Sequence, residues 1–261
     1  MSFENFAQEH GLIINSIVYD RWTRVPTIDH PKKRNGAYIY NGKSGAIQNW
    51  ALHEKPIVYK GKDSNYDPEW RQKAIKRDSE IALRQKNAQI KAVHMLNNST
   101  MTQHEYLIKK GFPLLKGNVL DGSLLIPMRI NDELIGIQQI KPDGSKKFLY
   151  GQKTKGATLK IDNKGRNIVC EGYATGLSVQ RAMKALKQRY TIYVCFSASN
   201  MEYIGSQLNN PLVIADHDPV GIKCASKIAK NYWLGDFGMD FNDMEMRDGT
   251  GSVSQSLALL L

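Results

Sequence analysis

Residues 168–178, with the sequence IVCEGYATGLS, join a short apolar run to an amphipathic stretch through an acidic residue and a glycine. The apolar run at 168–170 predicts a buried strand. Apolar positions spaced at three and four residues predict a helix from Thr175 to Tyr190. The segment is therefore typical of a strand that leads directly into a helix.

The same alternation continues toward the C-terminus. Apolar runs at 192–196 and 212–215 predict two more strands, and residues 221–232 predict another helix. Buried strands that alternate with amphipathic helices predict a parallel sheet with helical crossovers, and hence an α/β fold.

Acidic residues follow the ends of these strands. Glu171 follows the run at 168–170, Asp216 and Asp218 follow the run at 212–215, and Asp240 and Asp243 form a third cluster. Functional groups in parallel α/β sheets gather at the carboxyl ends of the strands. If the two strands are neighbours, Glu171, Asp216 and Asp218 converge on one rim.

Carboxylates held close together repel each other, and a hard divalent cation relieves that repulsion. Mg²⁺ takes oxygen ligands and favours one or two carboxylates together with substrate phosphate, where it can polarise a phosphoryl oxygen. The alternative interpretation is that these acids are helix caps and loop surface.

The charge of the chain favours an anionic partner. The 261 residues carry a formal net charge of +11, which favours a polyanion such as nucleic acid. The alternative is a basic protein that has no anionic partner. From Lys141 to Arg166 there are eight Lys and Arg residues, against Asp143 and Asp162 alone. A basic stretch therefore directly precedes the acidic motifs.

Cysteine usage and hydropathy restrict the class of protein. The three cysteines, Cys170, Cys195 and Cys224, are widely spaced and form no CxxC pair. We expect buried thiols in a reducing cytoplasm, no zinc site and no disulfide framework. Residues 1–12 lack the apolar core of a signal peptide, and no apolar run suits a membrane span, so no membrane partner is expected.

The N-terminal part of the chain predicts a separate module. Asn41-Gly42 predicts a hairpin turn after a strand at 37–40. Basic residues interleaved with aromatics suit either single-stranded nucleic acid or a small β-rich core. Asp67, as an N-cap, opens a long polar helix that continues to about His94.

Two further elements precede the acidic motifs. A short helix is expected from Thr102 to Lys110, ended by Gly111. A β-meander is expected over 120–150, with turns at Asn131-Asp132 and 142–144.

Several of these motifs resemble those of Toprim-domain primases. Residues 168–178 resemble the first Toprim motif in the EGYATGLS form of plasmid and phage primases, and 216–221 resemble the DxD motif. Residues 238–243 resemble the DFND tail, and 104–111 resemble an H-x-YL-x-x-KG element upstream of these domains. Residues 124–150 resemble the start of the catalytic region of bacterial DnaG-like primases, so the resemblance covers about 104–245.

This resemblance implies an α/β fold with four parts. Residues 165–261 would form a Toprim domain, which is Rossmann-like, with a mostly parallel sheet and helices on both faces. A basic β-rich subdomain of the primase catalytic core would precede it at 101–164, after a helical connector at 63–100. Residues 1–62 would form an α+β module in the place of a zinc ribbon, without its cysteines.

The resemblance also implies residue roles. Glu171, Asp216 and Asp218 would be catalytic and would bind Mg²⁺, with Mn²⁺ as a substitute. Asp240 and Asp243 would complete a second metal position. The expected contacts to nucleic acid or nucleotide are Arg129, Lys146, Lys147, Lys153, Lys155, Gly172 and Lys223.

The implied function is primer synthesis on a single-stranded DNA template from nucleoside triphosphates. It would serve plasmid or phage replication in the cytoplasm of a bacterial or phage-infected cell, with a replicative helicase as a further partner. Two alternatives remain open: a Toprim metal-dependent nuclease, and a non-catalytic DNA-binding replication accessory protein.

Overall fold

The described part of the protein is mixed α/β. The computed structural model describes residues 1–53, 55–61 and 68–261, and of residues 68–74 it describes the backbone alone. Seven helices and three β-sheets lie within these residues, which divide into two compact units, 1–80 and 81–261. None of the helices in these ranges is long and apolar enough to cross a membrane.

The first unit contains a four-stranded antiparallel sheet with strands in the order β1-β2-β3-β4. Its elements are α1 (Phe3–Glu9), β1 (Thr23–Val25), β2 (Gly36–Tyr40), β3 (Ser44–Asn49) and β4 (Ile57–Lys60). The predicted hairpin is confirmed, since β2 and β3 are antiparallel and Gly42 has a φ of 90°. Tyr38 is buried, but Trp22 and Trp50 are about half exposed, so the aromatics divide between core and surface.

The second unit begins within the long helix α2 (Pro68–Asn97). The predicted helix is confirmed in its described part, and the expected cap Asp67 lies outside the described residues. Ala88 and Ala92 are buried and pack in one cluster with the strand residues Leu125 and Ile137. The C-terminal half of α2 therefore covers one face of the sheet that follows.

That sheet is antiparallel, with strands in the order β5-β6-β7-β8-β9. The elements are β5 (Thr100–Thr102), α3 (Glu105–Lys109), β6 (Gly117–Leu120), β7 (Ser123–Ile130), β8 (Glu133–Ile140) and β9 (Lys146–Phe148). The predicted meander and the turn at Asn131-Asp132 are confirmed. The expected start of the short helix at Thr102 is wrong, because the helix begins after His104, whose ring nitrogen accepts the N–H of Tyr106.

The third sheet has strands in the order β10-β12-β11-β13-β14 and is parallel except at its β10 edge. Its elements are β10 (Leu159–Asp162), β11 (Arg166–Cys170), α4 (Tyr173–Ala185), β12 (Tyr190–Val194), α5 (Ala198–Gly205), β13 (Leu212–Ala215), α6 (Pro219–Ile228), β14 (Trp233–Leu234) and α7 (Phe241–Ala258). The predicted parallel strands are thus confirmed. The predicted ends of two helices, Tyr190 and residue 232, are wrong, because α4 ends at Ala185 and α6 at Ile228.

Alternate residues of the central strands enter two different cores. Ile168 and Cys170 pack in a cluster with residues of α4 and α7, whereas Val169 packs in a cluster with residues of α5 and α6. Side chains alternate between the faces of a strand, so helices cover both faces of this sheet. The three cysteines are buried and free, as predicted.

Candidate active site

The two strands that precede the acidic motifs are neighbours. Cys170 at the end of β11 pairs with Ile214 of β13 in parallel register. Glu171 and Asp216 therefore leave the sheet at the same edge, one residue beyond Cys170 and two beyond Ile214. The sequence analysis expected these acids to converge if their strands were neighbours, and the strands are neighbours.

Two of the aspartates also cap helices. The Asp218 Oδ1 atom accepts the N–H of Gly221 at 2.6 Å at the start of α6. Asp240 accepts the N–H of Asp243 at 2.8 Å, and the two side chains form a capping box at the start of α7. A cap fixes the orientation of a carboxylate, so these acids combine a structural role with a defined position.

Gly221 allows α6 to begin close to the end of β13. A Cβ at this position would collide with the carbonyl oxygen of Asp216. The glycine therefore lets the Asp216-His217-Asp218 turn fold tightly against the helix that Asp218 caps.

Asp216 lies at the electrostatic centre of this rim. The pKa of its carboxyl is raised from the ordinary 3.8 to about 7, chiefly by burial and next by the charge of Asp240. The charges of Glu171 and Asp218 contribute to the rise, whereas the charge of Lys146 opposes it. Three segments of chain therefore bring negative charge to bear on one half-buried carboxyl.

Glu171 shares this environment. Burial is the largest cause that raises the pKa of its carboxyl, followed by the charge of Asp218, while Lys146 opposes both. Lys146 belongs to β9 of the antiparallel sheet, whereas Glu171 follows β11 of the parallel sheet. The two sheets therefore contribute opposite charges to the acidic rim. Among the described residues, no arginine or lysine forms an ion pair with Glu171.

One carboxylate oxygen at this rim has no hydrogen-bond partner within the described residues, as a cation ligand would require. The Asp216 Oδ1 atom is buried and has no hydrogen-bond partner within the described part of the chain. A buried acceptor without a donor is costly, and a cation would satisfy it. No group of three or more His, Cys, Asp or Glu residues in the described ranges could by itself hold a metal ion. Mg²⁺ is nevertheless commonly held by one or two carboxylates, with phosphate and water as the other ligands.

Asp243, the second expected ligand in the third acidic cluster, has other partners. Its Oδ1 atom accepts a hydrogen bond from Lys110 Nζ at 2.9 Å, and its Oδ2 atom faces the N–H of Asp240 at 3.4 Å. Asp243 is thus placed to hold Asp240 rather than to face the rim directly.

The expected nucleic-acid contacts divide among several places. Arg129 donates to the carbonyl of Asp132 beside a separate cavity, and Lys155 lies over the ring of Tyr203 in another. Gly172 is the N-cap of α4, next to Glu171. Three further lysines are exposed: Lys147, Lys153 and Lys223. Of the predicted lysines, Lys146 is the one whose charge acts on both Glu171 and Asp216.

Two phenylalanines at this edge were not singled out by the sequence. Phe196 has a φ of 67°, rare for a bulky residue, and its N–H donates to the carbonyl of Glu171 at 2.8 Å. Phe237 is 83% exposed and contacts the ring of His217 edge-on. The sequence signal for Phe237 is weak: an aromatic residue in a Gly-Asp-Phe-Gly run, three residues before Asp240.

His217 secures the loop that carries Phe237. Its Nδ1 atom lies 2.7 Å from the carbonyl of Gly235, and its own carbonyl accepts the N–H of Gly238 at 3.1 Å. These bonds tie the loop before Asp240 to the Asp216-His217-Asp218 turn.

No protein-family model matches this chain.

Proposed function

We propose that this chain is a primase-like protein with a Toprim-type fold over 165–261, which joins nucleotides on a single-stranded DNA template with the help of Mg²⁺. One observation carries the proposal. Separate stretches of chain bring Glu171, Asp216, Asp218 and Asp240 to one edge of a parallel sheet, where Asp216 holds a buried oxygen without a partner. Such a pattern is typical of phosphoryl-transfer sites.

Asp216, together with Asp218 or Asp240, would hold the cation, with Asp243 supporting Asp240 through the capping box. When bound, Mg²⁺ neutralises their mutual repulsion and polarises a phosphoryl oxygen. Because Asp218 and Asp240 are fixed by helix caps, the ligand positions are organised before substrate arrives.

Primer extension requires a proton acceptor. The 3′-hydroxyl oxygen of the growing strand bonds to the α-phosphorus of a nucleoside triphosphate, the bond to the β-phosphate oxygen breaks, and pyrophosphate leaves. Glu171 is suited to accept the hydroxyl proton, because burial raises the pKa of its carboxyl toward the working pH. Lys146 supplies positive charge at the same edge for a substrate phosphate.

The neighbouring surface suits single-stranded DNA. Lys147 and Lys153 are exposed and close in sequence to Tyr150, which is 85% exposed, and to Phe148, which contacts Phe196 edge-on. Aromatic rings stack on unpaired bases while cations bind the phosphates between them. This combination favours a single strand over a duplex as the template.

A primer-synthesis assay tests the proposal. Incorporation of labelled ribonucleotides on a single-stranded template, dependent on Mg²⁺, is the expected result. Asp216→Ala should abolish incorporation and leave DNA binding intact, and the exposed Lys184→Gln on α4 serves as a control that retains incorporation. Equal incorporation by wild type and Asp216→Ala would refute the assignment. Strand scission would instead indicate a nuclease, and binding alone an accessory protein.

A further inference from the structure

A cavity separate from the acidic rim lies beyond the carboxyl end of β12, the end of the parallel sheet at which the rim also lies. Its volume is about 500 Å³, within the range of pockets that hold small molecules. The residues that line it carry polar side chains, and they include Thr154, Lys155, Ser197, Ser199, Tyr203 and Lys227. The acidic rim shares none of these residues.

The wall of the cavity is fixed by one buried side chain. The Asn200 Nδ2 atom donates to the carbonyls of Ala157 and Cys195 at 2.7 and 2.8 Å, and its Oδ1 atom accepts the N–H of Gly156 at 2.7 Å. Asn200 thus ties the loop that carries Lys155 to the end of β12. Because hydrogen bonds hold its wall in place, the cavity is already formed before a ligand binds. A preformed site lowers the entropic cost of binding.

The chemistry of the lining favours a phosphate ligand. The Lys155 ammonium lies 4.7 Å from the centre of the Tyr203 ring, and Ser197 and Ser199 contribute hydroxyl groups at the start of α5. Lys227 pairs with Glu202 at 3.1 Å, so the one carboxylate in the lining is already neutralised. Ammonium and hydroxyl donors at the positive end of a helix are complementary to phosphate oxygens, which only accept hydrogen bonds.

The cavity adjoins the acidic rim through the backbone. Phe196 donates its N–H to the carbonyl of Glu171, and the next residue, Ser197, already lines the cavity. The thiol of Cys224 in α6 donates a hydrogen bond to the carbonyl of Ala198 at 3.0 Å, which joins α6 to the first residue of α5. The residue that begins the cavity wall, Ser197, therefore lies one position beyond the residue that is bonded to Glu171.

We infer that this cavity is a subsite for a phosphate group of the nucleotide substrate, separate from the carboxylates of the acidic rim. The phosphate could belong to a free nucleoside triphosphate or to the backbone of a strand, and both present the same oxygens. The inference rests on the proposed function only for the identity of the substrate.

Binding of inorganic triphosphate, measured by titration calorimetry in EDTA, tests the subsite without any contribution from metal at the rim. Ser199→Asp places a carboxylate in the lining, at a helix N-terminal position where an acidic residue favours the fold. Triphosphate affinity should fall about tenfold in Ser199→Asp and severalfold in Lys155→Gln, and should stay unchanged in Lys184→Gln. Thermal melting of each variant checks that the fold is retained.

Wild-type affinity no tighter than that of Ser199→Asp, or an equal loss in Lys184→Gln, would overturn the inference. Glu171→Gln separates the two proposals, since it should stop primer synthesis and leave triphosphate binding in EDTA unchanged. Parallel titrations with a nucleoside triphosphate and with a 5′-phosphorylated oligonucleotide identify the source, because the true ligand is the one that Ser199→Asp weakens more.

Discussion

Asp216→Asn should stabilise the metal-free protein at pH 8. The folded chain raises the pKa of the Asp216 carboxyl from 3.8 to about 7, so above pH 7 folding must hold an ionised carboxylate among other carboxylates. At 1.36 kcal/mol for each pKa unit, the full effect is about 4 kcal/mol. Because Asp216 is only half-buried, we expect about 1–3 kcal/mol after solvent screening. The amide keeps the shape of the carboxyl and removes the charge.

The effect has a defined pH dependence. Between pH 3.8 and 7 the unfolded chain loses the Asp216 proton while the folded chain retains it, so the stability of the wild type falls as pH rises through this window. The advantage of Asp216→Asn should be complete above pH 7 and less than about half as large at pH 5. In thermal melts with EDTA at pH 8, we expect a rise in Tm of roughly 3–9 °C.

Asp162→Asn is the matched control, since it also removes one negative charge. Hydrogen bonds from the Lys164 N–H, Thr191 and Lys160 lower the pKa of Asp162 to about 2, so its loss should destabilise the protein at pH 8. Mg²⁺ should raise the Tm of the wild type and have little effect on Asp216→Asn. A lower Tm for Asp216→Asn at pH 8, or an equal gain at pH 5 and pH 8, would refute the reasoning.

Three further changes test other parts of the site. Lys146→Gln removes a charge that lowers the pKa of Glu171 and Asp216, so the acidic limb of the pH profile of primer synthesis should move to higher pH; an unchanged limb would contradict this. Asp218→Ser keeps a capping oxygen for α6 and loses the charge, so the fold should survive within about 1 kcal/mol in urea denaturation while Mg²⁺-dependent synthesis falls at least tenfold. Asn242→Ala leaves the carbonyl of Lys110 and the hydroxyl of Ser178 without their donor, and should cost about 2 kcal/mol in the same denaturation; a cost near zero would show that water replaces the amide.

The parallel strands and the acids beyond them could be predicted because their signals are local. A run such as 212–215 is wholly apolar and fully buried, and Asp216 and Asp218 follow it directly. The spacing of the strands along the sequence does not show which of them are neighbours in the sheet. Because β11 and β13 do pair in parallel, Glu171 and Asp216 lie at the same edge of the sheet.

Features that depend on contacts between distant segments were missed. β5 consists of three exposed residues with no apolar alternation, and its pairing with β6 makes it a strand. Phe196 continues an apolar run, yet its φ of 67° is incompatible with an extended strand, which ends two residues early, after Val194. Lys146 was an expected nucleotide contact from the resemblance, but its effect on Glu171 joins two sheets, and no pattern within either sheet encodes it.

The rim around Asp216 is assembled from sequence positions as far apart as Glu171 and Asp240. Before the sheet forms, these side chains are dispersed in water, where each carboxylate attracts a cation no better than free acetate would. The cation affinity that we propose for the rim would therefore be a property of the completed domain. The repulsion among these carboxylates also opposes the final closure of the sheet, so Mg²⁺ bound as proposed would act as a folding ligand as well as a participant in the chemistry.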